Sequence, residues 1–290
     1  MILPHFPEFK FIELGDRDLL TAAIARHPSE ACEFHFANVF LWRHFERSKL
    51  TEINGNLCVL CEPPSEPAYF LQPIGDAATE ATLRTCLSFA PRLSRVDESF
   101  ALRYGRGYRL ELDRDNFDYV YQAKDLAELK GKKYDGKRNR IRKFERGNAY
   151  DYAPLSRDRL PGCLEVLTRW LQAKAGSDGF LGAVWRSVVE EALAHFEELG
   201  LRGGVFEVGG RTVAFSMGAR LTPETAVIPI EIVDPGYDGL SQLVNREFVR
   251  REWVECRFVN REQDNGISGL RRAKSSYHPH HFVKKYNIWG

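Results

Sequence analysis

Gly204-Val205-Phe206-Glu207-Val208-Gly209-Gly210-Arg211-Thr212-Val213-Ala214-Phe215-Ser216-Met217 is the stretch that decides the fold. Two strand-like runs flank a Gly-Gly pair, which supplies the positive φ angles that a two-residue hairpin needs. An earlier hairpin runs over residues 50–61 and turns at Asn54-Gly55. Each hairpin is followed by a short strand containing Pro-Ile, first Tyr69-Phe70-Leu71-Gln72-Pro73-Ile74-Gly75 and later Ala226-Val227-Ile228-Pro229-Ile230-Glu231. A glycine and a helix come next, at about 77–89 and 241–253. One more strand closes each copy, Leu93-Ser94-Arg95-Val96-Asp97 and Cys256-Arg257-Phe258-Val259-Asn260. The halves repeat an order of elements rather than a set of letters.

An antiparallel hairpin, a third strand, a crossover helix and a parallel strand together predict a mixed sheet with helices on both faces. Amphipathic helices precede the hairpins, with Phe34, Val39, Phe40, Trp42 and Phe45 in one half and Leu164, Leu167, Trp170 and Leu171 in the other. These apolar stripes read as core. At 290 residues the chain is about twice the usual domain of ~100–150 residues, which fits two domains. The division is placed at 145/146, with a basic segment, 130–145, ending the first domain. Asp118-Tyr119-Val120-Tyr121 reads as a strand, and Asp125-Leu126-Ala127-Glu128 as a helix start. Tyr150 and Tyr152 open the second domain as a strand, and Leu160-Pro161 begins a helix.

With 43% hydrophobic residues and 12% aromatics the chain can bury cores, which excludes a disordered protein. Lys plus Arg (41) nearly balances Asp plus Glu (40), so a net charge of +1 gives no general pull toward nucleic acid or anionic membrane. No apolar run approaches the ~18–20 residues of a bilayer span. Met1-Ile2-Leu3-Pro4-His5-Phe6-Pro7-Glu8 lacks the apolar stretch of a signal peptide, so a cytoplasmic protein without integral membrane association is expected. Six scattered cysteines do not form a disulfide scaffold. Cys58 and Cys61 have metal-motif spacing, yet in a strand positions three apart face opposite sides, so buried thiols are the expectation.

Two stretches concentrate chemistry. Asp234-Pro235-Gly236-Tyr237-Asp238-Gly239-Leu240-Ser241 joins a strand to a helix, and glycine-rich backbone at a helix start suits a phosphate. A plain turn with Ser241 as helix cap accounts for the same letters. Residues 260–279 begin where the last parallel strand ends, the place where ligands collect in open α/β sheets. This run is too polar for core and too glycine-rich for an ordinary helix. Its carboxylates Glu262 and Asp264 suit proton acceptance or an amine, and Arg271, Arg272 and Lys274 suit phosphates or a carboxylate. His278, His280 and His281 lack a carboxylate partner in sequence, and a surface or hydrogen-bonding role is expected, with no metal. Lys132, Lys133, Lys137 and Arg138 sit in the basic segment and are expected to bind anions, although a solvated helix face has the same composition.

Three stretches resemble a bacterial family related to the C-terminal domain of phosphatidylglycerol lysyltransferases: Glu30, Phe34, Asn38 and Trp42; Gly131-Lys132-Lys133 with Lys137-Arg138-Asn139; and Asn260-Arg261-Glu262 with Lys274-Ser275-Ser276-Tyr277-His278-Pro279. That resemblance implies an α/β (α+β) chain of two tandem acetyltransferase-like (GNAT) domains, akin to Fem-type aminoacyltransferases. Each domain would hold a mixed, mostly antiparallel sheet flanked by helices. It further implies acyl or aminoacyl transfer, from acyl-CoA or aminoacyl-tRNA, to an amine or hydroxyl on a small molecule or lipid headgroup. No membrane-spanning portion like that of the lysyltransferases is present in this sequence.

In such sheets two parallel strands splay around the acyl group, here the strands at 226–232 and 257–260. Glu231 is the first choice of general base and Glu262 the second, with Tyr277 protonating the leaving group. Gly236, Gly239, Ser241, Asn260, Asp264, Arg271, Arg272 and Lys274 would line the donor's site. The alternative is a non-catalytic module that binds a phosphorylated ligand or tRNA. A DNA-binding regulator is not expected from a near-neutral chain without a helix-turn-helix pattern.

Overall fold

The computed structural model describes residues 3–176 and 181–290. The chain forms two compact units, the first from residues up to Asp118 with Gln263–Gly266 and Phe282–Gly290, the second from Tyr119–Glu262 and Ile267–His281.

In the first unit the chain passes through β1 (Lys10–Phe11), α1 (Arg17–Arg26) and α2 (Phe36–Glu46) into the hairpin of β2 (Lys49–Ile53) and β3 (Asn56–Cys61). Its turn residues Asn54 and Gly55 have φ of 52° and 82°, the left-handed values expected there. β4 (Tyr69–Phe70), α3 (Thr79–Phe89), β5 (Arg92–Asp97), α4 (Glu98–Tyr104) and β6 (Arg109–Leu112) follow. β4 is shorter than the sequence suggests. Pro73 has no N–H to donate, and beyond Phe70 pairing resumes only as a bridge between Leu57 and Ile74. All six cysteines are free and buried, and burial pushes the Cys61 thiol up to about 12.

The second unit begins with β7 (Asp118–Gln122), α5 (Ala123–Glu128), α6 (Asp135–Gly147), β8 (Asp151–Pro154), α7 (Leu160–Lys174) and α8 (Gly182–Ala194). Then come β9 (Arg202–Val208) and β10 (Arg211–Arg220), joined at Gly209 and Gly210 with φ of 57° and 75°. β11 (Thr225–Val233), α9 (Leu240–Phe248), β12 (Phe258–Asn260), α10 (Ser268–Ser275) and the first residue of β13 (His281–Val283) complete it, and a π-helical turn over Val249–Trp253 extends α9. The chain ends in β14 (Lys285–Trp289), which joins the first unit's sheet.

Among the described residues each sheet has seven strands, in the orders β1-β2-β3-β4-β5-β14-β6 and β13-β7-β12-β11-β10-β9-β8. The duplication is plain in the pairings. β2, β3, β4 and β5 run antiparallel, antiparallel and parallel, and so do β9, β10, β11 and β12. Each terminal parallel strand then takes an antiparallel neighbour, β14 beside β5 and β7 beside β12.

The expected boundary at 145/146 therefore falls inside the second unit. Tyr121 pairs with Val259, and α6 lies on α9 through ion pairs such as Arg246–Glu145 at 2.8 Å. Two local expectations change as well. Despite Gly269, residues 268–275 form a short helix, because arginines, alanine and lysine there favour helix. Gly239, rather than Ser241, is the N-cap residue of α9, and Ser241 is exposed in its first turn.

Candidate active site

The register of β11 explains where the parallel strands of the second unit separate. Its parallel pairing with β12 runs through Thr225↔Phe258, Ala226↔Val259 and Val227↔Asn260. Beyond Asn260 the chain follows its other neighbour, Arg261 donating its N–H to Tyr119 O at 2.9 Å, while β11 stays with β10 as far as Ala214↔Val233. Pro229, just past the last parallel pair, has no N–H to hold the two strands together. The parallel strands part here.

An ion pair spans the gap. Arg261 Nη2 donates to Glu231 Oε2 at 3.0 Å, with both side chains at least four-fifths buried, at 15% and 20% exposure. Asn245 on α9, with its amide oxygen toward the guanidinium, accepts from Arg261 Nη2 at 3.0 Å and Nε at 3.1 Å. The guanidinium carbon lies 5.4 Å from the centre of the Tyr277 ring. Lys137, from the basic helix α6, approaches the same ring to 4.0 Å and donates to Ser276 Oγ at 2.6 Å.

Two further phenols fix the backbone at this point, Tyr121 donating to Lys274 O at 2.9 Å and Tyr134 to Tyr277 O at 3.0 Å. Burial raises the Tyr277 phenol's pKa, so it stays protonated through neutral pH. Burial, and then the charges of Arg261 and Arg140, bring Lys137 down to about 8.

The remaining expected residues divide between this group and structural duties. Lys274 Nζ donates to the carbonyls of Arg261 and of Glu262, the latter at 3.2 Å, and so pins the segment after β12. Asn260 is buried and its Oδ1 accepts from Glu262 N at 2.7 Å, an Asx turn that accompanies a positive φ of 57° at Glu262. Gly236 N donates to Asp234 Oδ1 at 2.9 Å, and Asp234 also holds Arg169 at 2.6 Å. Gly239 abuts α6: a Cβ there would lie 2.2 Å from Arg140 O. Asp238 in the same loop pairs with Lys143 at 2.7 Å. Helix α6 thus touches the 234–239 loop and, near its N-terminal end, Ser276 and Tyr277.

Other residues stand apart from the Tyr277 group. Asp264 belongs to the first unit, where it pairs with Arg114 at 3.2 Å. Arg271 and Arg272 lie on α10, Arg272 exposed. Of the four basic residues expected to bind anions, only Lys137 reaches Tyr277. Lys132 is exposed, Lys133 pairs with Asp125 at 3.4 Å, and Arg138 ties the carbonyls of Leu129 and Gly131 to Asp135. His278 packs edge-on against Tyr134, and His280 and His281 share a hydrogen bond of 2.9 Å between their Nδ1 atoms.

Sequence reasoning left out Asn245 and gave Arg261 no role at the site. Arg261 carried a signal, since it is the first residue past the last parallel strand. Asn245 had none, being a polar residue whose place depends on the packing of α9.

Two units, each with a parallel strand pair at the same place in a mostly antiparallel sheet, give the chain a tandem GNAT-like fold. Residues 24–289 match the family described as "Phosphatidylglycerol lysyltransferase, C-terminal", and the chain belongs to that family. A conserved protein of unknown function from Bacteroides thetaiotaomicron is 31% identical, with a TM-score of 0.88 over 97% of this chain and 98% of that one. L-PGS from Bacillus licheniformis shares the fold at 16% identity and a TM-score of 0.66, over 100% and 94% of the two chains. A GNAT-family acetyltransferase from Colwellia psychrerythraea does so at 12% identity and 0.51, over 97% and 98%. No curated protein matches the sequence. Among the described residues no helix is long and apolar enough to cross a membrane.

Proposed function

We propose that this chain is an acyl- or aminoacyltransferase that uses acyl-CoA or aminoacyl-tRNA as donor and an amine or hydroxyl, on a small molecule or a lipid headgroup, as acceptor. The observation that carries this reading is the meeting of Lys137 and Tyr277 beside the Arg261–Glu231 pair, at the point where β11 leaves β12. Family membership supports it.

In this proposal an amine acceptor attacks the donor carbonyl. A C–N bond forms, and the C–S bond of a thioester or the C–O bond of an aminoacyl ester breaks. Lys137 takes the acceptor's proton. With a pKa of about 8, about a tenth of it is neutral at pH 7, which is near the strength that general-base catalysis favours. Tyr277, held protonated by burial, supplies a proton to the leaving thiolate or alkoxide. Glu231 keeps Arg261 in place, and the guanidinium, with backbone N–H groups along β11, offers charge to the developing oxyanion. One such donor is worth roughly 2.7–4 kcal/mol where measured elsewhere. Glu262 keeps second place as base, and the 234–241 loop with Gly236 is assigned to donor phosphates.

One observation favours a second reading, a module that binds a phosphorylated ligand or tRNA without turnover: Lys137, the base of the first reading, already donates to Ser276 Oγ at 2.6 Å, and Glu231, engaged by Arg261, is no free carboxylate base in its place. A panel of CoA thioesters and aminoacyl-tRNAs, screened by thermal shift and then by product formation, separates the two. A ligand at ~100 times its dissociation constant adds about 2.7 kcal/mol. A shift with product supports transfer, and a shift with none supports the module.

A further inference from the structure

The first unit carries a second concentration of cations that transfer chemistry leaves unused. Arg103-Tyr104-Gly105-Arg106-Gly107-Tyr108 leads from the end of α4 toward β6. With Arg84 and Glu80 of α3, its side chains line an open groove of about 750 Å³. Three arginines face one acid.

Several arginines of this unit do have carboxylates: Arg92 holds Glu66, Arg95 holds Glu46 at 2.8 Å, and Arg114 holds Asp264 at 3.2 Å. Among the described residues, Arg84, Arg103 and Arg106 have no carboxylate within ion-pair distance. Cations gathered without counter-charge repel one another, and an incoming anion relieves that repulsion.

The aromatic content of the groove narrows the anion. Tyr104 is half-buried, its ring braced by Phe100 at 4.9 Å, and the Arg103 guanidinium carbon stands 5.0 Å from its centre. Tyr108 is half-buried beside it. Gly105 keeps the turn tight, since a Cβ there would meet Ala101 O and Leu110 Cδ2 at 2.5 Å. Gly107, at φ 92°, has open space where a Cβ would stand, so a ligand backbone can approach closely. Guanidinium groups for phosphates and flat ring faces for bases are the two elements of single-strand recognition. An open groove also suits an extended chain better than a lone nucleotide, which needs enclosure.

We infer that this groove binds a single strand of nucleic acid, with Arg84, Arg103 and Arg106 on its phosphates and bases stacked against Tyr104 and Tyr108. This site is independent of the acyl-transfer reading. RNA and DNA strands share the chemistry it recognises.

The test uses the full chain and a fluorescent 12-nucleotide RNA or DNA, with affinity measured between 50 and 200 mM salt. Arg84→Gln/Arg103→Gln/Arg106→Gln alters exposed side chains only, and an unchanged melting temperature confirms its fold. Single strands lose a log–log slope of about 0.7 per phosphate contact, so three contacts give the wild type a slope steeper by about 2. Over that fourfold salt range its affinity should fall roughly 15–20-fold more than that of the triple variant. Ultraviolet cross-links of a uracil-containing strand should map to residues 102–108. Better binding of the RNA or of the DNA strand identifies the source. Equal slopes for the two proteins, cross-links confined to 130–143, equal affinity for a mononucleotide, or preference for phosphatidylglycerol vesicles over either strand would each overturn the assignment.

Discussion

Lys137 Nζ stands 4.0 Å from the centre of the Tyr277 ring. Burial, followed by the charges of Arg261 and Arg140, holds this ammonium down to about 8, where an exposed lysine titrates at 10.5. A base acts when deprotonated, so kcat/KM should climb as pH rises through about 8 and level off above it. Lys137→Arg, charged at all these pH values, should lose both the rate and the rising limb. The measurement is the pH profile of transfer for the two proteins; a flat wild-type profile between pH 7 and 9 would remove Lys137 as base.

The same shift fixes a stability signature. The folded value lies below the unfolded one, so between pH 8 and 10.5 the unfolded chain binds more protons, and stability rises with pH across that window. Lys137→Met has no such proton to bind. The melting temperature of the wild type should therefore gain on that variant from pH 8 to 10.5, and parallel curves would contradict the shift.

Glu231 and Arg261 are predicted to support the fold as well as the site. Removing one partner strands the other, with both side chains at least four-fifths buried. Glu231→Gln should cost about 1.5–3 kcal/mol, the range for hydrogen bonds to charged groups. If Glu231 were instead a free base, the variant would lose turnover and keep its denaturation midpoint, so urea unfolding and kinetics together decide.

A larger penalty is expected at Lys285, whose fully buried ammonium meets Glu33 at 2.6 Å, Asp118 at 2.8 Å and Cys32 Sγ at 3.5 Å. Burial opposes its charge, but Asp118, Cys32 and Glu33 outweigh that and raise its pKa overall. Cys32, Glu33 and Asp118 are also the types and spacing of a metal site, and here an ammonium stands among them. Lys285→Met leaves two buried carboxylates uncompensated and should cost about 3–5 kcal/mol. Adding Asp118→Asn should recover part of that loss; simple additivity in unfolding free energies would argue against the network.

That network also marks the limit of what the sequence shows. Nothing local in Val283-Lys284-Lys285 says that Lys285 will lie in the first unit's sheet beside β5. The hairpins were legible because Asn-Gly and Gly-Gly fix turn geometry by themselves, and the parallel strands because the repeated order of elements left them one place. Lys137 was legible only as one charge in a basic run. What distinguishes it is the packing of α6 on α9, which brings it, rather than Lys132 or Lys133, to Tyr277. The return of residues 263–266 and 282–290 to the first unit is likewise a matter of long-range pairing.

Two glycines of one loop should behave differently. In Gly239→Ala the new methyl would press on Arg140 O at a φ of 89°, so a loss of about 1–3 kcal/mol and a looser α6 are expected. Gly236→Ala meets only Asp234 Oδ1 at 3.2 Å and should melt near the wild type. If the loop takes donor phosphates, Gly236→Ala should raise KM for the donor. An unchanged KM would free the loop from that role.

The most direct measurement is single-turnover transfer from whichever CoA thioester or aminoacyl-tRNA stabilises the protein, compared among wild type, Tyr277→Phe and Lys137→Met. The wild type should form product, and each variant should slow by roughly 10²–10⁴-fold while keeping a folded, cooperative melt. Full-rate transfer by both variants would contradict the account.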